Sequence, residues 1–290
     1  MICEDDFMVK LMKPTIPYDR LTAWEKWQYA DFTHPFIFPE ILRRNPDLTK
    51  QIIQMAVPDL VIRSIEQVNT EVSMPAVTYA RTGRLDVKVT LDNGRLVLIE
   101  LQMRKQKFFA YRVRYYQSEA DVTSLPKGAP YDGLPNIIQI SFCDFDPVGA
   151  GKYVYDFANR DRENPEIVLG DGTRKIFLNT KGYRGNVTKQ QKEFLRYLSG
   201  AETEDELCGE IHDRIEDLKY NERVQGDFMK FEDYLREEKE VSFEEGADAK
   251  LKEQVGKKLA KGLSVEAIAK ALEESEDKIR ELIEELSTSN

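Results

Sequence analysis

The sequence predicts an α/β protein with a helical appendage at its C-terminal end. Three observations carry that expectation. A β-hairpin pattern runs from Arg84 to Gln102. A helical stripe over residues 104–124 follows it and leads into an apolar strand, Asn136 to Phe142. Residues 247–290 then break into short helices with serines at their starts.

Taken in order, residues 1–23 read as an extended arm interrupted by Pro14 and Pro17. A helix begins near Thr22, with Trp24, Trp27 and Tyr29 as aromatic bulk for a core. The stretch from Asp31 to Leu42 is apolar with isolated acids, and His34 within it reads as structural or surface rather than as a ligand. Residues 47–57 form a short helix on Leu48, Ile52, Ile53 and Met55, which Pro58 ends. Leu60 to Val68 leads to a first strand expected near residues 71–80. In the helix over 104–124, Phe109, Val113, Tyr116 and Ala120 make a buried stripe, and Phe108, Arg112, Tyr115 and Glu119 a neighbouring one that could face a cleft. Further strands are expected at Tyr153–Phe157 and Lys175–Leu178, the latter after the Asp171-Gly172 turn. Residues 188–238 are mostly helical. Near the end, Ser264 caps a helix holding Val265, Ile268, Ala269 and Leu272, and Ser275 caps another holding Ile279, Leu282 and Ile283. This group resembles a helix-turn-helix unit; its many acids favour a scaffold or homo-oligomerisation appendage over a DNA reader.

Composition narrows the function. A chain of 290 residues makes one large domain or two smaller ones, and 41% hydrophobic with 32% charged residues suits a soluble globular protein. No run of about 18 apolar residues predicts a membrane span. The start, Met1 to Asp6, lacks a signal-peptide pattern. Cys3, Cys143 and Cys208 are too scattered for a disulfide framework or zinc cluster, so a reducing cytoplasm fits. With His34 and His212 as the only histidines, histidine metal sites and a Ser-His-Asp triad are disfavoured.

The hairpin concentrates the chemistry. A three-residue loop, Asp92 to Gly94 with Gly94 left-handed, pairs Leu91 with Arg95, Val89 with Val97, Val87 with Ile99 and Leu85 with Leu101. Asp86 then stands opposite Glu100, with Cβ atoms about 4.5–5.5 Å apart. A two-residue loop would set apolar against polar residues and send the two acids to opposite faces. Paired carboxylates repel unless a cation lies between them, and Mg²⁺ or Mn²⁺ suits such oxygens. Leu96 and Leu98 on the acidic face argue for a cleft; the plainer alternative is a half-exposed hairpin with scattered charges on its wet side.

The net charge of −10 is unevenly spread. Residues 201–245 hold 17 acidic and 6 basic residues, a net −11, leaving a net +1 for the rest. That segment reads as a solvated helical surface, or as one that repels DNA. By contrast Arg104, Lys105, Lys107, Arg112 and Arg114 fall in residues 103–118, which contain no acid. A basic strip beside paired carboxylates suits a phosphate backbone.

The segments Arg84-Leu85-Asp86 and Ile99-Glu100-Leu101-Gln102, followed by Arg112 to Gln117, Phe142 to Pro147, Gly170 to Gly182 and Gly262-Leu263-Ser264, resemble the PD-(D/E)XK nucleases. More narrowly they are similar to the Rpn family of recombination-promoting nucleases and transposases, from about residue 28 to about residue 285. The resemblance implies a restriction-endonuclease-like core, a mixed β-sheet flanked by helices, over residues 24–200. The acidic segment 201–245 and the helical tail 246–290 follow it. It implies divalent-metal-dependent hydrolysis of DNA. Asp86, Glu100 and the Leu101 carbonyl would hold Mg²⁺ or Mn²⁺. Gln102 stands where the wider family has a lysine. Glu40, then Asp31, are the candidates for a third acid. Arg84, Arg104, Lys105, Lys107, Arg112 and Arg114 are the candidate phosphate contacts. A catalytically weak or inactive DNA-binding protein on the same scaffold is the alternative, because glutamine brings no positive charge.

Overall fold

The computed structural model describes residues 14–74 and 83–288. Six strands form a mixed sheet: β1 (Ile65–Met74), β2 (Gly83–Leu91), β3 (Leu96–Gln102), β4 (Ile137–Cys143), β5 (Val154–Phe157) and β6 (Thr173–Asn179). Their order across the sheet is β1-β2-β3-β4-β6-β5. The β1–β2, β2–β3 and β5–β6 pairs are antiparallel, and β4 runs parallel to both β3 and β6. β4 thus lies inside the sheet and is buried along its whole length.

Helices precede, separate and follow these strands along the chain. They are α1 (Ala23–Tyr29), α2 (Ile37–Arg44), α3 (Pro46–Ala56), α4 (Phe109–Ser124), α5 (Lys189–Leu198), α6 (Glu206–Lys219), α7 (Glu222–Leu259), α8 (Val265–Leu272) and α9 (Glu276–Thr288). The sequence explains several of their starts. Thr22 and Glu25 form a reciprocal capping box at α1, and Thr188 and Gln191 form another at α5. Pro46 opens α3, where its missing N–H costs nothing.

Successive strand residues point to opposite faces, so the sheet has two different coats. On one face Phe142 of β4 meets Phe38 of α2 and Phe194 of α5, with ring centroids 6.4 and 5.1 Å apart. The other face is covered by α4. Its stripe packs as expected: Tyr116 and Ala120 join Leu85, Leu96, Leu98 and Ile137, while Phe109 and Val113 join Cys143, Tyr155 and Phe177.

Some expectations shift. The first strand begins at Ile65, earlier than residue 71. The helix expected from 104 begins at Phe109, because Phe108 takes a left-handed conformation (φ 59°) and breaks the run. Trp27 is buried in the core but Trp24 is exposed. His34 is structural, as its Nδ1 accepts the Phe36 N–H at 3.1 Å.

The chain forms two compact units, one ending at Gly226 and the second beginning at Asp227. In the second, Val255, Ile268, Ala269, Ile279 and Leu282 make a core of their own. Ser264 and Ser275 cap its last two helices, accepting from Ala267 N–H and Lys278 N–H.

Candidate active site

The hairpin turn is closed by Leu91 N–H to Arg95 O and Gly94 N–H to Leu91 O, each 2.9 Å, with Gly94 at φ 74°. This is the three-residue loop. It sets Thr90 against Leu96, Val89 against Val97, Lys88 against Leu98 and Val87 against Ile99. Regular pairing stops there, at the step before Asp86 and Glu100. The Asp86 side chain takes over: its Oδ2 accepts the Leu101 N–H at 2.9 Å. Leu85, expected opposite Leu101, instead packs with Leu96, Leu98 and Tyr116.

Glu100 sits beneath α4 and is 1% exposed. Across β4 its partner is Ser141, whose Oγ is buried without a hydrogen bond. Burial pushes the Glu100 carboxyl up to about 8, and the negative charge of Asp86 adds to the rise. Arg112 opposes it, but its Nη2 reaches Glu100 Oε2 only at 3.5 Å. The guanidinium lies over the Phe109 and Tyr116 rings, 6.0 and 5.6 Å from their centroids, and hydrogen-bonds Gln106. Glu100 is buried, Asp86 is half-buried and near enough to raise it, and carboxylates present the hard oxygens that a divalent cation prefers. The residues present therefore fit such an ion. Among the described residues no cluster of three or more His, Cys, Asp or Glu side chains gathers to hold one.

Gln102 is buried at the end of β3. Its carbonyl accepts the Asp144 N–H at 2.9 Å, and Asp144 Oδ1 in turn accepts from Thr180 Oγ1 at 2.5 Å and Lys181 Nζ at 2.8 Å. An ammonium is thus tethered at the same end of the sheet as Gln102. Sequence reasoning gave Lys181 no role, because parallel pairing of β3, β4 and β6 is what assembles this end. Lys88 is a second cation near the acids in sequence. It lies two residues from Asp86 on the same strand, and burial lowers its ammonium pKa.

The two candidates for a third acid each have partners within their own segment. Burial raises Glu40, but hydrogen bonds and charge from Arg43 and Arg44 outweigh it and hold its carboxyl below the usual range. Asp31 accepts the Thr33 N–H at 2.8 Å and Thr33 Oγ1 at 2.6 Å. Of the basic strip, Arg104, Lys105 and Lys107 are exposed just ahead of α4 and Arg114 is exposed on it, whereas Arg112 turns inward to Glu100. The Arg84 side chain lies outside the described residues.

A family model described as PD-(D/E)XK nuclease family transposase matches residues 31–255. Neither a curated protein nor a solved structure matches the chain.

Proposed function

The chain belongs to the PD-(D/E)XK nuclease family transposases, and from that premise we propose that it is a divalent-metal-dependent DNA endonuclease acting on mobile elements or in recombination. One observation carries the reading: Glu100 is buried under α4 and bears the charge of Asp86, so the pair wants a cation. Asp86 and Glu100 would hold Mg²⁺ or Mn²⁺. The Leu101 carbonyl would assist, since the N–H and C=O of one strand residue point to the same edge and the Leu101 N–H already faces Asp86. When bound, the ion lowers the pKa of a water and stabilises charge on the phosphate.

The protein's own groups do the rest. Glu100 releases its proton as the site is loaded. Gln102 orients the attacking water by hydrogen bonding. The water oxygen joins phosphorus as one of its protons passes to bulk water, the bridging P–O bond breaks, and the departing sugar oxygen takes a proton back from bulk water. Gln102 brings no charge, so the cations at hand are Arg112 against Glu100 and Lys181 held by Asp144. Arg104, Lys105, Lys107 and Arg114 contact the phosphate backbone.

Cleavage of plasmid and of a partly single-stranded oligonucleotide with Mg²⁺ or Mn²⁺ tests the proposal. The wild type cuts and Asp86→Ala lowers the rate by more than the about 10–100-fold that loss of a group merely supporting a metal ligand costs. Equal cutting by both, or by neither, overturns it. The uncharged Gln102 favours one rival, a DNA-binding protein without activity. Calorimetric titration with Mn²⁺ separates the two, because the rival expects no binding that depends on Glu100.

A further inference from the structure

Two aromatic side chains at the start of α4 are not used by the core. Phe108 is 74% exposed and Tyr111 63% exposed. Their rings meet edge to face, 6.1 Å apart at 80°. The Arg114 guanidinium lies over Tyr111, 5.3 Å from the ring centroid. Phe108 holds a left-handed backbone conformation (φ 59°, ψ 29°) that bulky side chains rarely adopt, and its carbonyl accepts the Tyr111 and Arg112 N–H groups. The ring is therefore displayed in water by a strained, hydrogen-bonded junction.

Its surroundings are cationic. Arg104, Lys105 and Lys107 precede it with exposed side chains, and no acid occurs between residues 103 and 118. The next residue after Tyr111, Arg112, reaches Glu100. One turn of α4 thus carries the exposed rings and, beside them, the arm that touches the candidate active site.

We propose that Phe108 and Tyr111 form a base-stacking platform, so that the substrate is DNA with unpaired bases next to the scissile phosphate, such as a flap, a gap or a hairpin tip. Exposed aromatic faces interleaved with cations are what single strands require, because every base offers a π-face and every phosphate a charge. Paired bases in intact duplex offer neither face. The assignment rests on the nuclease reading above and adds to it the class of DNA.

The test is a titration of the full chain, in EDTA, with a single-stranded oligonucleotide carrying 2-aminopurine and with the same sequence as blunt duplex. The wild type quenches the single-strand fluorescence and binds that form about tenfold or more tightly than duplex. Phe108→Leu with Tyr111→Leu keeps apolar bulk at two exposed positions but removes the rings. Single-strand affinity falls about ten- to a hundredfold and the quench is lost, while duplex affinity changes less than twofold. Tyr111→Phe keeps the wild-type behaviour, and Trp24→Ala, an exposed aromatic on α1, changes nothing. Equal loss for both DNA forms, or for neither, overturns the platform. EDTA removes cleavage from the readout. Failure to cut both the plasmid and the partly single-stranded DNA, with an intact stacking signal, therefore counts against the nuclease reading alone, and the reverse pattern against the platform alone.

Discussion

Glu100 is where sequence position and environment pull hardest against each other. Its carboxyl belongs near 4.5 and is pushed up to about 8 by burial and by Asp86. Between those values the folded protein keeps a proton that the unfolded chain has released. Metal-free stability therefore falls as pH rises through that window, with a slope approaching about 1.4 kcal/mol per pH unit. Glu100→Gln removes the titration, and a thermal-melting series from pH 5 to 8 in EDTA should show that slope flattened relative to wild type. A divalent ion bound by Glu100 must displace the same proton, so Mn²⁺ affinity rises over this range and levels off above about pH 8. The residue's identity was legible from the alternation. Its burial was not, because the cover comes from α4 and the neighbour from β4.

Among the elements, the β2–β3 hairpin was legible in most detail. Period-two alternation and the Asp92-Asn93-Gly94 turn act locally, and the observed pairs follow them from Thr90 to Val87. The departure at Asp86 was hidden, since it depends on a side chain accepting a backbone N–H from the opposite strand. Gly94 anchors the register with its positive φ, and a Cβ there would meet open space. Gly94→Ala therefore costs backbone strain alone, about 1–2 kcal/mol in a urea unfolding curve, with metal binding kept. A larger loss of Mn²⁺ binding than of stability would show that the turn also tunes the carboxylates. In α4 the buried stripe followed the helical period. Its true start did not, because Phe108 leaves the helical region and residues 104–107 stay outside the helix.

At the level of the whole molecule, the second unit has a separate core, in which Ile279 is fully buried. Ile279→Ala should cost that unit about 2–5 kcal/mol. Hydrogen exchange then shows α8 and α9 amides losing protection while those of β3 and β4 keep it; simultaneous loss in both would mean the units unfold together. Charge is divided as well. The −11 of residues 201–245 is far along the chain from the acid-free strip, so the net charge of −10 says little about the surface a phosphate would meet.

The amino-acid sequence by itself determined the hairpin register from Thr90 to Val87, the buried stripe of α4 and the capped C-terminal helices, because turn chemistry, periodicity and caps all act within a few residues. Tertiary structure alone decided that Glu100 is sealed beneath α4, that Arg112 turns inward rather than to solvent, and that Asp144 and Lys181 meet at the Gln102 end of the sheet. Those outcomes depend on parallel neighbours and helix cover drawn from distant parts of the chain, and no local pattern encodes which strands become neighbours.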